Sequence, residues 1–222
     1  MTAGKDWSLH GLFLKDFKEH LDIGLHFTLT QEENSPLTWL LHSLLGQINT
    51  SFVEKQLNLQ LDLFVEVMGC LPDFIDGHQH VHSFPGIREI LLKVIKKRFP
   101  HKKPYIRSLS PLLSGMDAQV KAFALRCAAF GFSRTLDKSH IKHNASFGGL
   151  YSLTPHEDYR EYMIKWLHLA DPQTLLMCHP GIQPLQGTKD PIAAARVQEY
   201  TYLLSSAFQD DLKSAGAQLG RF

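Results

Sequence analysis

The chain has 222 residues, a length that fits one domain. Its formal net charge is +1 and its basic residues are scattered, which excludes a nucleic-acid-binding surface. With 44% hydrophobic and 20% charged residues it has the balance of a packed core, not of a disordered chain.

Residues 8–20 carry Leu9, Leu12, Phe13 and Phe17 at helical spacing, with Ser8 as the cap. Lys15, Asp16 and Lys18 interrupt this stretch, so it holds no apolar signal core. Residues 22–30 read as a strand with His26 inside it, where a histidine is often only a satisfied core residue. A loop, QEENSP at 31–36, separates this strand from a helix over 37–48. Ser51 to Met68 is a longer amphipathic helix with Leu57, Leu61, Phe64 and Met68 on its core stripe.

The stretch from Asp73 to His82 dominates the chain. It begins apolar and then delivers Asp76, His78, His80 and His82 at alternate positions. In an extended segment alternate side chains share a face, about 6.5–7 Å apart. Two imidazoles in such a row can lean toward one metal ion. The competing reading is a histidine-rich surface loop with no ligand. Thirteen histidines in the chain favour metal or proton chemistry. Pro85 then fits the first turn of a helix from Ile87 to Phe99.

Beyond a solvated turn at residues 101–103, residues 105–109 read as a strand carrying Arg107. Ala118 to Phe130 is helical and Gly131 ends it. Residues 132–137 read as a strand, and residues 138–153 as a loop. Pro155 opens a helix to Leu169. Residues 174–178 form a strand that stops at His179, repeating the arrangement of His78. A long loop to Pro191 leads to a helix over 192–206 and a last one near 209–215.

Strand and helix alternate without repeats or an internal linker, which predicts one α/β domain over residues 1–222 with a mainly parallel sheet. His26, His78 and His179 each belong to a strand or its end, as expected of a barrel-like sheet that gathers its site at one face. No run of 18 apolar residues exists, so no membrane span is expected. Cys70, Cys127 and Cys178 are odd in number and far apart, which suits reduced thiols in a cytoplasmic protein.

Four segments in this order carry a resemblance: GLHFTLT at 24–30, FIDGHQHVHSFPGI at 74–87, FSRTLD at 132–137 and LLMCHPG at 175–181. They resemble the YdjC family of carbohydrate deacetylases, which includes the chitooligosaccharide and hopanoid-biosynthesis deacetylases. The tail at 210–222 resembles that family's final helix and strand. The resemblance implies a TIM-barrel-like fold and a divalent metal, magnesium or zinc. The implied reaction removes an acetyl group from an N-acetylated amino sugar, a small carbohydrate substrate. His26 and His78 match the family's metal-binding histidines. The third ligand in the family is an aspartate of an N-terminal Asp-Asp-Phe-Gly strand, and its neighbour is the base. The only Asp-Asp pair here is Asp210-Asp211. The expectation is therefore a barrel incomplete at its N-terminus. Such a chain is expected to be less stable than an extended one, or to self-associate through the gap as a homodimer.

Amide hydrolysis needs an activated water, a stabilised oxyanion and a proton for the leaving amine. A metal held by imidazoles and a carboxylate supplies the first two. His179 is the candidate for the acid or for a substrate-orienting role, against a simple hydrogen bond to a neighbouring loop. His80 and His82 are candidates to support the ligands, and Asp76 to hold a ligand imidazole from behind. Arg107 and Asp137 are candidates on the substrate side. Three readings follow: a metal-dependent deacetylase, a relative that binds sugar or metal without turnover, and another metal-dependent hydrolase such as a phosphoesterase. The lack of a further dense Asp/His cluster weighs against a two-metal version of the third.

Overall fold

A computed structural model describes residues 1–4, 6–29, 36–114, 119–154, 158–184 and 190–222. In chain order the elements are α1 (Trp7–Lys15), β1 (Leu25–Phe27), α2 (Pro36–Leu44), α3 (Thr50–Met68), β2 (Phe74–Gly77), α4 (Ile87–Arg98) and β3 (Tyr105–Ile106). Then follow β4 (Leu112–Ser114), α5 (Gln119–Ala128), α6 (Phe132–Lys138), β5 (Ser146–Leu150), α7 (Tyr159–Leu169), β6 (Thr174–Leu176), α8 (Ala193–Leu203) and α9 (Ser206–Ser214). The α/β expectation holds, and all the strand pairings are parallel. The sequence loop at 31–35 and the helix starts assigned to Ala118 and Pro155 lie outside the described residues, as does part of the loop before Pro191.

The chain divides into two compact units. The first holds residues 1–110, 125–144 and 221–222, and the second holds 111–124 and 145–220. Each contains a three-stranded sheet in sequence order, β1-β2-β3 and β4-β5-β6, and each sheet is open among the described residues.

In the first unit α3 follows its predicted stripe closely, because Leu57, Leu61, Phe64 and Met68 are all buried. Full burial of side chains of this size stabilises by about 1.5–3 kcal/mol each. The Asn49 side chain accepts from Phe52 N–H at the start of this helix, and Gly69 ends it in the left-handed conformation. Buried Gln60 turns its amide onto the end of β1, accepting from Thr28 N–H at 3.0 Å and donating to Thr28 C=O at 2.8 Å. The Asp73 carboxylate accepts from Ile23 N–H at 3.0 Å on the other side of the same strand. These two side chains fix the position of a strand only three residues long. The stripe read on α1 has a different fate. Leu9, Leu12, Phe13 and Phe17 are exposed, while Gly11 and Trp7 make the contacts, the indole donating to Leu63 C=O at 2.9 Å.

Two elements depart from the sequence expectation. Residues 132–137 form helix α6, not a strand, because Phe132 and Leu136 are both buried at helical spacing and Thr135 donates its hydroxyl to Gly131 C=O. Residues 146–150 form strand β5 inside the expected loop, with every residue buried. Its two glycines disguise it, since glycine is depleted in strands. Neighbouring backbone requires one of them. Gly149 has φ +92, and a Cβ there would collide with the Met177 backbone of the strand segment beside it. The second unit's core is largely aromatic: Tyr151, Tyr159, Tyr162, Trp166 and Tyr202 pack with Met163, Phe208 and Leu212. No helix among the described residues is long and apolar enough to cross a membrane.

Gly149→Ala meets both a backbone collision and a positive φ. Its unfolding free energy, from urea denaturation, is expected to fall by about 2–4 kcal/mol. Glycine-like stability in the variant would show that β5 and its neighbour can separate without cost.

Candidate functional site

The site begins with strand register. β1 and β2 pair in parallel with His26 directly beside Asp76, while Leu25 and Ile75 take the buried face. Adjacent strands lie about 4.8 Å apart, so neighbouring side chains on one face meet. His26 donates Nδ1–H to Asp76 Oδ1 at 2.7 Å. That bond fixes the tautomer of the neutral ring and leaves Nε2 with its lone pair.

The other oxygen of Asp76 belongs to Arg107. The guanidinium is 3% exposed and donates Nε–H to Asp76 Oδ2 at 2.8 Å, Nη1–H to His80 Nδ1 at 2.7 Å and Nη2–H to Gly77 C=O at 2.8 Å. Burial by itself would push the Asp76 carboxyl up. The Arg107 charge and the His26 hydrogen bond outweigh it and hold the group well below the usual carboxylate range. Asp76 is therefore ionised and doubly engaged. Arg107, a substrate-side candidate in the sequence reading, is buried inside this cluster as its central donor.

The expected row of one acid and three histidines on one face does not form. β2 ends at Gly77, and residues 78–83 coil into a kinked 3-10 segment in which Gln79 (φ 51) and His80 (φ 65) are left-handed. Two such residues cost about 1–2 kcal/mol each. Ser83 Oγ donates to His80 C=O at 2.8 Å, and buried Val81 and Phe84 anchor the turn from below. The coil sends the histidines to three different places. His78 turns to His26. His80 is buried and accepts from Arg107. His82 is buried against Gly77, where a Cβ would lie 2.8 Å from its Nδ1. His82 donates Nε2–H to Arg107 C=O at 2.8 Å, and its Nδ1 has no hydrogen-bond partner among the described residues. Burial first, and the nearby Arg107 charge second, hold its pKa down to about 3, so the ring is neutral.

His26 Nε2 and His78 Nδ1 face each other at 3.4 Å. Two nitrogens each about 2.0–2.1 Å from a tetrahedral cation lie about 3.4 Å apart, so this pair fits a shared divalent ion. Among the described residues no group of three or more His, Cys, Asp or Glu side chains gathers as metal ligands. The arrangement is two facing imidazoles with a carboxylate behind the first.

Asp137 is exposed on α6 and its Oδ1 accepts from His143 Nε2 at 3.0 Å. His179 follows β6 in the second unit. Its backbone N–H donates to Glu199, and its C=O accepts from Arg196 Nη1 at 3.2 Å. The sequence reading missed Glu199, which is fully buried. The signal was available: Ala195, Glu199 and Tyr202 share the inward stripe of α8, and an acid on such a stripe needs a partner.

The family model described as YdjC-like protein matches residues 1–214 of the chain. A chitooligosaccharide deacetylase of Yersinia enterocolitica is 25% identical over 232 aligned residues, covering 96% of this chain and 81% of that protein. One from Proteus mirabilis is 37% identical over 91 residues, 36% of each chain. A carbohydrate deacetylase of Xenopus laevis is 45% identical over 56 residues, 25% of this chain and 18% of the frog protein. The matched stretch thus spans only about a fifth to a third of the frog and Proteus relatives. Among solved structures, an Enterococcus faecalis protein described as a cellobiose-phosphate cleavage protein has a TM-score of 0.67 at 17% identity, covering all of this chain and 84% of that one. That likeness is one of fold.

Two outcomes test the site's electrostatics. Arg107→Met leaves the Asp76 carboxylate buried without its cation, and unfolding free energy at pH 7 is expected to drop by about 3–5 kcal/mol in urea melts. Acidification is expected to destabilise the protein in two windows. The folded pKa of His82, about 3, lies below its ordinary 6.5, so the unfolded chain takes the proton first. Stability then falls from about pH 6.5 toward pH 3, by about 1.4 kcal/mol per pH unit. The Asp76 contribution is present above its ordinary pKa of 3.8 and is lost as pH falls below it. His82→Gln should flatten the upper window only. An unchanged slope in that variant would show that His82 is not the titrating group.

Proposed function

This chain belongs to the YdjC-like family, and on that premise we propose that it is a metal-dependent hydrolase that removes acetyl groups from N-acetylated amino sugars. The observation that carries the reading is the pair of facing nitrogens on His26 and His78, 3.4 Å apart, with Asp76 orienting the first ring. Relatives named chitooligosaccharide deacetylase and carbohydrate deacetylase support the substrate class. His26 and His78 would hold the cation, magnesium or zinc. When bound, a divalent ion supplies Lewis acidity to a carbonyl and lowers the pKa of water.

The chain's own residues do the rest. Asp76 orients His26 and does not act as the base, because both its oxygens are engaged and its proton affinity is far below that of an ordinary carboxylate. Arg107 keeps Asp76 charged and in place, and His80 buttresses Arg107. His82 fixes the Arg107 main chain from the apolar side. His179 is proposed as the acid for the leaving amine or as a substrate-orienting residue. Asp137, exposed on α6, accepts from His143 Nε2 and keeps its place as a substrate-side candidate. The fold proposed with this reading is TIM-barrel-like, supported by two parallel sheets whose strands follow sequence order. A cytoplasmic location, supported by three free cysteines, and self-association as a homodimer, supported by the exposed apolar row on α1, complete the proposal.

A second reading is favoured by one observation: the described residues offer no third ligand beside the two histidines. It makes the chain a binder of sugar or metal without turnover. One experiment separates the two. Acetate release from chitooligosaccharides is measured with added magnesium, zinc or manganese, beside metal binding by calorimetry. The hydrolase reading expects release that His78→Ala abolishes together with metal binding, a loss of at least about 10²-fold. Oligosaccharide binding without acetate release would establish the second reading. Acetate release undiminished in His78→Ala would exclude the proposed site.

A further inference from the structure

Glu199 is fully buried on α8, where the inward stripe contributed by Ala195 and Tyr202 is otherwise uncharged. A carboxylate in such a position is paired almost without exception. Its partners converge on one residue. Oε2 accepts the His179 backbone N–H, and Oε1 accepts the Tyr151 hydroxyl at 2.7 Å. The Nδ1 of the His179 ring stands 3.9 Å from the same Oε1, buried and without a hydrogen-bond partner among the described residues. The side chain as a whole is 28% exposed although Nδ1 is buried, so the ring turns another part of its edge outward. One turn earlier on α8, Arg196 donates to the His179 carbonyl and is itself held by Asp190 at 2.8 Å. The helix thus grips both main-chain polar groups of His179 and aims a carboxylate at the inner nitrogen of its ring.

We propose that Glu199 is the positioning residue for His179: it fixes the main chain through one oxygen and the ring through the other, so that the imidazole is held in one tautomer, with its proton on Nδ1 and its lone pair on Nε2. At 3.9 Å the ring contact is just beyond hydrogen-bond length, and a small rotation of the imidazole closes it. A proton on Nδ1 then has a carboxylate to donate to, and the lone pair is left on Nε2. Among the described residues of this unit, the groups that face His179 are Glu199, with Tyr151 behind it, Arg196 and Asp190 at the carbonyl, and the neighbouring Cys178 thiol, which feels the Glu199 charge. Of these only Glu199 addresses the ring nitrogen. The inference rests on the role proposed for His179, and it adds the residue that holds its ring.

The test is the tautomer of the neutral His179 ring in the full chain, read from its ring 15N chemical shifts at alkaline pH and assigned with His179→Gln, which requires no turnover. In wild type the proton is expected on Nδ1; in Glu199→Gln the shifts are expected to move toward those of the Nε2–H tautomer, since the amide oxygen is a weaker acceptor than a carboxylate. Tyr151→Phe frees Oε1 for the ring and is expected to move the shifts the other way. This second variant removes only one hydroxyl, and it keeps the test decisive where the first fails to fold. Glu199→Asp, which keeps the charge one methylene farther away, should lie between wild type and Glu199→Gln. His179 ring shifts that superimpose on wild type in folded Glu199→Gln or Tyr151→Phe would overturn the proposal and leave Glu199 a main-chain clamp. Acetate release by His179→Gln is read separately. Full release there would sink the assigned role of His179 in hydrolysis, while a changed tautomer in the Glu199 variants would still establish the pairing.

Discussion

The ion pair between Arg107 and Asp76 is the contact on which the first unit's polar site depends. A guanidinium that is 3% exposed must have every donor satisfied, and here its donors run to Asp76, His80 and the Gly77 carbonyl. Those three partners are the last residues of β2 and the start of the coil that follows. Arg107 therefore does two things with one side chain. It keeps Asp76 ionised so that His26 is held in one tautomer, and it fixes the path of a turn containing two left-handed residues. Neither would persist without the other, because the strain at Gln79 and His80 has to be offset by bonds that exist only when the cation is in place.

The two units use a similar device with a different strength. In each, a carboxylate stands behind a histidine and is itself held by a second donor. Asp76 has a cation as that donor, and it is locked as an acceptor. Glu199 has the neutral Tyr151 hydroxyl, which orients it without neutralising its charge. The difference suits the roles proposed for the two histidines: a ligand imidazole needs a fixed lone pair, whereas an acid imidazole needs a carboxylate still able to favour its protonated form. Nδ1 of His82, without a hydrogen-bond partner among the described residues, fits the same logic. Its ring is kept neutral by burial, and so it serves as a rigid spacer over Gly77 and takes no part in proton transfer.

The sequence alone determined the α/β class, the parallel strands, the core stripe of α3 and the family. These features depend on local apolar periodicity and on short motifs, both of which survive in one dimension. It also placed His26 and His78 together, through their resemblance to a known pair. It did not determine which way the histidine-rich stretch would turn. Alternation predicts one face only for as long as the chain stays extended, and extension ends where pairing ends, at Gly77 opposite Phe27. The burial of Val81 and Phe84, the Ser83 bond and the arrival of Arg107, just past β3 and 31 residues after Asp76, decided the coil. Strand β5 and helix α6 were misread for the same kind of reason. Two glycines hid a strand whose tight neighbour required one of them, and Phe132 with Leu136 found a common buried side only in a helix. The partners of Arg107 and Glu199 were likewise settled by tertiary structure, because a buried charge is defined by residues distant in the chain, and no local pattern names them.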